Sequence, residues 1–201
     1  PAGGRPTNME IQLIVISGTP GTGKTTLASI VSRMTGVRWV SLGDLVKEKG
    51  LFLGVDEERG SLIADVEKLV PEVERLAVDA GGRLIVEGHY ADVMPDDWVE
   101  EAVVLRTHPR ELWRRLAERG WSENKIRENV QAEILGVCTY DAVEAYGWEK
   151  VYEVDTTLKT PDESAKEVLE IISGMGERYR VGRINWLRQL EKEGELEKYF
   201  N

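Results

Sequence analysis

The residues Gly18-Thr19-Pro20-Gly21-Thr22-Gly23-Lys24-Thr25-Thr26 combine three spaced glycines with a lysine and four threonine hydroxyls. The run fits G-x-x-x-x-G-K-[ST], a pattern whose parts have distinct physical jobs. Glycines let the backbone fold tightly, so that successive N–H groups turn inward toward phosphate oxygens. A helix starting at Lys24 adds the positive end of its dipole. Lys24 is placed to reach the β- and γ-phosphates, and the Thr25 hydroxyl to ligate Mg²⁺. The chemistry implied is the holding of a nucleoside triphosphate, with Gly18, Pro20, Gly21, Thr22, Gly23, Lys24, Thr25 and Thr26 as its cradle. Glu87 closes the run "RLIVE", where a carboxylate at a strand end would hold the same Mg²⁺ through water.

The elements around these residues follow from the hydrophobic pattern. "IQLIVIS" before the loop is continuously apolar, as in a strand buried on both faces. "KTTLASIVSRMTG" behind it has helical spacing at Leu27, Ile30, Val31 and Met34, and stops at Gly36. "VRWVSL", "RLIVEG", "AVVLR" and "VYEVD" read as four further strands. Residues 43–80 read as helical throughout, with Pro71 as a start or kink and Gly81-Gly82 as the end. "PRELWRRLAERG", "SENKIRENVQAEILGVCTYDAVEAYG" and "PDESAKEVLEIISG" read as helices. Strands alternating with helices predict an α/β fold of three layers, with a parallel five-stranded sheet covered on both faces.

Composition narrows the classes. The 201 residues suit one domain, and no apolar run approaches the roughly 20 residues that cross a bilayer. Residues 1–8 lack the apolar core of a signal peptide and read as a short disordered lead ahead of Met9. One cysteine, Cys138, and two histidines make an internal disulfide or a zinc site a poor expectation. A cytoplasmic location is expected. The formal net charge of −10 argues against a nucleic-acid-coating surface and suits a basic protein partner or plain solubility. No N-K-x-D tetrapeptide of the guanine-specific GTPases occurs, which leaves small kinases as the best fit.

The segments "GTPGTGKTT", "GDL", "IVEGH", "LRT", "RLAERGWSENKIRENVQAEI" and "VYEVDTT" carry a more specific likeness. With them the chain resembles the nucleoside monophosphate kinases, most closely the adenylate kinase isoenzyme 6 type. The resemblance spans Ile11 to about Gly174. It implies a P-loop fold over residues 9–176, with an acceptor-binding arm near 43–80 and a short lid near 115–130. It also implies reversible phosphoryl transfer from ATP to a monophosphate, typically AMP, with Mg²⁺. A slow ATPase activity and help in maturing the small ribosomal subunit, through a basic ribosomal protein, are implied as well.

The same resemblance gives roles to further residues. Asp44 and Lys47 match the acceptor arm, although a helix N-cap is an equal reading of Asp44. Lys47 stands where arginine is usual, and lysine lacks the planar two-bond phosphate contact. His89 matches a histidine that orients the attacking water or polarises a phosphate oxygen. Arg115 and Arg119 match the lid, Arg115 near the phosphates and Arg119 near the base, and Arg106 is a candidate to join them. "EGHYADVMP" contains no arginine for the acceptor phosphate. That absence keeps a rival reading open, an ATP-hydrolysing assembly switch with vestigial kinase activity. The tail, residues 177–201, mixes Arg178, Arg180, Arg183 and Arg188 with Tyr179 and Trp186. Docking of Trp186 and Leu187 as an amphipathic helix is favoured there over RNA contact by stacking and phosphate pairing.

Overall fold

The computed structural model describes residues 9–57 and 60–201. Five parallel strands form the central sheet: β1 (Gln12–Gly18), β2 (Trp39–Ser41), β5 (Arg83–Glu87), β6 (Val99–Arg106) and β7 (Val151–Asp155). Their order is β2-β5-β1-β6-β7, which places β1 and the loop that leaves it at the centre. The expected α/β architecture with five parallel strands is the one observed. The lead 1–8 lies outside the described residues.

Both faces of each inner strand are apolar, and the two sets of side chains enter separate cores. Leu13, Val15, Leu84, Val86, Ala102 and Val104 face α2 (Leu42–Glu48), α3 (Val66–Asp79) and α6 (Val137–Tyr146). Ile14, Ile16, Ile85, Val103 and Leu105 face α1 (Lys24–Thr35) and α7 (Pro161–Glu170). That division explains the unbroken apolar runs, because alternate residues serve opposite layers. Each fully buried Leu or Ile contributes about 1.5–3 kcal/mol of burial free energy. Along α1, Leu27, Ile30 and Val31 are buried as their spacing predicts, but Met34 is exposed. Gly36 closes α1 in the left-handed conformation, its N–H bonded to Ser32 O.

Residues 43–80 are not helical throughout. β3 (Phe52–Asp56) and β4 (Ser61–Ala64) pair as an antiparallel hairpin between α2 and α3. Phe52, Val55 and Ile63 favour extended backbone, while Gly54 and Gly60 weaken a helix there. α3 then runs through Pro71 as one helix. The N-cap of α2 is Ser41, whose hydroxyl accepts from the Asp44 N–H, so the cap reading of Asp44 does not hold.

A third apolar cluster lies outside the sheet. α4 (Pro109–Glu118) and α5 (Glu123–Leu135) supply Leu112, Leu116, Ile126, Val130 and Ile134. The C-terminal α8 (Trp186–Glu193) and α9 (Glu197–Phe200) add Leu190 and Tyr199. Arg110 pairs with Glu195 at 2.7 Å, and Arg127 donates to Asn201 O at 2.9 Å, tying the extension to these helices. No helix among the described residues is long and apolar enough to cross a membrane.

Candidate active site

β1 ends at Gly18 and α1 begins at Lys24, with the glycine loop between them. Gly18 has φ 143°, and a Cβ there would lie 2.7 Å from Leu105 O and 2.8 Å from Thr22 Oγ1. Gly21 has φ 92°, and its missing Cβ would meet Leu116 at 2.9 Å. The loop is therefore pressed between β6 and α4, and only glycine fits both its angles and its space. Thr22 donates its hydroxyl to Thr19 O at 2.7 Å, closing the turn.

Lys24 folds back along this loop. Its Nζ donates to Gly18 O at 2.8 Å and Thr19 O at 3.3 Å. Burial lowers the ammonium pKa and the Arg119 guanidinium adds to that, while Glu87 and Glu133 oppose it. A lysine held by loop carbonyls can exchange those carbonyls for phosphate oxygens.

Thr25 donates its hydroxyl to Glu87 Oε1 at 3.1 Å, across the gap between the start of α1 and the end of β5. Glu87 is buried. A hydroxyl and a carboxylate are hard oxygen donors, suited to Mg²⁺, which takes few protein ligands and completes its shell with phosphate and water. Among the described residues no group of three or more His, Cys, Asp and Glu converges as a metal cage. The pair fits a metal brought in with a nucleotide.

His89 follows Glu87 beyond Gly88, at the mouth of the same cleft. Crowding by the surrounding protein, and then the Lys24 charge, lower its imidazole pKa to about 4. The ring keeps contact with solvent, which moderates the effect but not its direction. At neutral pH His89 is an uncharged ring, able to accept a proton or align a water. Beside it a cavity of about 210 Å³ is lined by Thr19, Pro20, Asp92, Cys138 and Asp141 among others. Burial, and to a smaller degree the Asp141 charge, raise the Asp92 pKa. Among the described residues no arginine or lysine lines this cavity.

The arginines divide differently from expectation. Arg115 donates to Gly21 O at 3.3 Å, Thr156 O at 2.9 Å and Thr157 O at 3.3 Å, and it pairs with Glu111 at 2.8 Å. It joins α4, the phosphate loop and the loop after β7. Arg119, at the end of α4, is exposed, and its charge is felt at Lys24. Arg106 does not reach the phosphate rim. It is 3% exposed and lies between Glu133 and Glu153. As the last residue of β6 it shares a face with Ala102 and Val104, and that face looks toward α6, not toward the loop. Arg114 pairs with Glu111 and Glu118 on the solvated side of α4. Asp44 and Lys47 are exposed along α2.

Sequence reasoning assigned no role to Glu133, Glu153 or Asp92. Glu133 is 1% exposed and accepts from Thr19, Arg106, Thr107 and Trp186. Its signal was an acid on the buried stripe Ile126, Val130, Ile134, a position that normally carries an apolar side chain. Asp92 offered no such signal, because its place beside the loop depends on the fold.

Residues 14–136 match the family model described as an AAA domain. The chain is 41% identical over 174 residues to a Pyrococcus abyssi protein named "Putative adenylate kinase", covering 87% of this chain and 91% of that one. A protein of the same name from Methanothermobacter thermautotrophicus is 43% identical over 162 residues, covering 81% and 90%. Among solved structures, a shikimate kinase from Acinetobacter baumannii in complex with shikimate superposes with a TM-score of 0.58 at 14% identity, covering 82% of this chain and 94% of that one. A shikimate kinase from Bacteroides thetaiotaomicron gives 0.55 at 18% identity, covering 81% and 98%. The structural likeness shows the shared fold. With the family model matched over residues 14–136, more than half of the chain, and relatives above 40% identical along nearly their whole chains, this protein belongs to the archaeal family that carries the adenylate kinase name.

Proposed function

We propose that the protein transfers the γ-phosphoryl group of ATP to a nucleoside monophosphate, with AMP the preferred acceptor. The observation that carries this is the meeting of Thr25 and Glu87 at 3.1 Å beside Lys24, at the mouth of a glycine loop open to phosphate. The names of the archaeal relatives support the same activity. The loop N–H groups and Lys24 hold the β- and γ-phosphates, and Thr25 and Glu87 hold Mg²⁺, which when bound neutralises phosphate charge. Arg119 swings from the end of α4 toward the nucleotide. Arg115 keeps the loop and the segment Asp155–Thr157 in register. Asp44 and Lys47 face the acceptor, and neutral His89 aligns the attacking oxygen. Phosphoryl transfer depends mainly on such positioning and charge placement.

The acid-lined cavity beside His89 favours a second activity. With Asp92 and Asp141 at its wall and no cation among the described residues lining it, the cavity suits water better than a second phosphate. ATP hydrolysis accompanies transfer in this reading, with His89 aligning the water. The resemblance to the adenylate kinase isoenzyme 6 type supports a role in small-subunit ribosome maturation, with a basic ribosomal protein as partner attracted by the net charge of −10.

The test is product formation from Mg·ATP with and without AMP. ADP appearing at twice the AMP consumed, well above an ATP-only control, is expected. Phosphate release indifferent to every monophosphate would sink the kinase reading and leave the hydrolase.

A further inference from the structure

The C-terminal extension adds no strand to the central sheet, yet it sends one side chain to the back of the phosphate loop. Trp186 is buried, meets His108 edge-on at 5.2 Å, and donates Nε1 to Glu133 Oε1 at 3.0 Å. The same oxygen accepts from Arg106 Nε at 2.9 Å and Thr107 N at 3.0 Å. The other carboxylate oxygen accepts the Thr19 hydroxyl at 2.8 Å. Thr19 O in turn gathers the Thr22 N–H at 3.2 Å and Lys24 Nζ at 3.3 Å. Three links thus lead from Trp186 to Lys24.

Charge makes this path more than packing. Arg106 serves both Glu133 and Glu153, so the buried cluster holds two carboxylates for one guanidinium. The surplus negative charge depends on neutral donors, since an underbonded buried carboxylate is costly. Trp186 and Thr19 are two of those donors, on opposite oxygens of one carboxylate. Withdrawing the indole N–H obliges Glu133 to turn toward its remaining donors, and Thr19 sits on the arm that moves. Thr19 fixes the first turn of the loop, and so the aperture offered to phosphate.

We infer that Trp186 and Glu133 are positioning residues for the phosphate loop, so that docking of the extension sets the affinity for Mg·ATP. The inference rests on the reading of the loop as an ATP cradle. It assigns the extension a part in nucleotide binding that apolar docking alone does not require.

Four full-length variants test it: Trp186→Phe, Thr19→Val, Thr19→Ser and the double Trp186→Phe/Thr19→Val. Mg·ATP affinity is read by calorimetry, KM for AMP by coupled assay, and folding by melting temperature. Trp186→Phe keeps the ring and removes the N–H. It should weaken Mg·ATP about fivefold, the net scale of one ordinary hydrogen bond, and leave KM for AMP unchanged. Thr19→Val should do the same, Thr19→Ser should bind as the wild type does, and the double variant should be no weaker than Thr19→Val. Unchanged ATP affinity in Trp186→Phe, or effects that multiply in the double variant, would overturn the coupling. Should Trp186→Phe fail to fold, equal ATP affinities for Thr19→Val and Thr19→Ser would do so. A wild-type chain that binds no Mg·ATP would instead overturn the cradle reading, and this inference with it.

Discussion

Thr25 and Glu87, separated by 62 residues in sequence, share a hydrogen bond of 3.1 Å at the centre of the sheet's carboxyl edge. In that geometry the first turn of α1 and the end of β5 act as one site. Were Mg²⁺ bound there with a nucleotide, Thr25 would offer it a hydroxyl and Glu87 a carboxylate acting through water. Glu87→Gln keeps the shape and removes the charge. It should raise the Mg²⁺ concentration needed for half-maximal rate by about tenfold or more and change the melting temperature little. Titrating Mg²⁺ at fixed ATP checks this. An unaltered Mg²⁺ curve would remove Glu87 from the metal site.

Lys24 is bonded to carbonyls of its own loop. Lys24→Met retains the aliphatic stem and discards the ammonium. The turnover number should fall about 10²–10³-fold, the cost of losing one preorganised donor, with the far-ultraviolet circular dichroism unchanged. A loss below tenfold would mean that the loop binds phosphate without its lysine.

His89 sets a pH signature. An ordinary histidine gains charge as pH falls through about 6.5, but this ring stays neutral to about 4. The rate should therefore show no limb centred near 6.5, and kcat/KM for the wild type and His89→Gln should vary in parallel between pH 6 and 8. The stability sign follows from linkage. Between roughly pH 6.5 and 4 the unfolded chain binds a proton at His89 that the folded chain refuses, so stability falls with pH through that window. Because the ring is exposed, the effect is reduced to about 1 kcal/mol. Urea melts of the wild type and His89→Gln at pH 7 and pH 5 measure it, and an equal loss in both would discount the shift.

The buried cluster is the clearest case of a feature the sequence concealed. A strand-end arginine above a phosphate loop invites assignment to the phosphates, yet the two-residue period of β6 turns Arg106 to the opposite layer. Following that period from Ala102 and Val104 would have found it. Glu133 was legible as an acid on an apolar stripe, but its partners come from the glycine loop, the end of β6 and the C-terminal extension, which no local pattern brings together. The strands were easier, because a two-sided core forces continuous apolar runs such as Leu13–Ile16. The β3–β4 hairpin was hidden for the converse reason. Its exposed Phe52, Val55 and Ile63 lack the burial rhythm that distinguishes strand from helix. The docking of Trp186 was expected from its amphipathic segment, whereas its bond to Glu133 was not.

Arg106→Leu would leave Glu133 and Glu153 buried without their shared counterion. Removing one partner of such a network costs about 3–5 kcal/mol. For a domain of this size that corresponds to a fall of roughly 10 °C in melting temperature. Glu153→Gln, which removes the surplus charge and keeps one acceptor oxygen for Arg106 while giving up the Gly182 N–H bond, should cost less. Differential scanning calorimetry of the two variants separates the cases. Equal losses would show that packing around the cluster, and not its charge, holds the site.

Lys47 offers the most direct test of where the acceptor lies. It stands exposed in the last turn of α2, and the cavity beside His89 is lined by no cation among the described residues. A single ammonium is a point charge on a flexible stem, whereas a guanidinium matches two phosphate oxygens at once. If the acceptor phosphate meets α2, Lys47→Arg should lower KM for AMP by about fivefold with kcat nearly unchanged, and Lys47→Ala should raise it by at least as much. Neither change should move KM for ATP, which the glycine loop governs on the other side of β1. An AMP dependence identical in all three proteins would place the acceptor phosphate away from α2, and would turn attention to Arg119, whose charge is felt at Lys24.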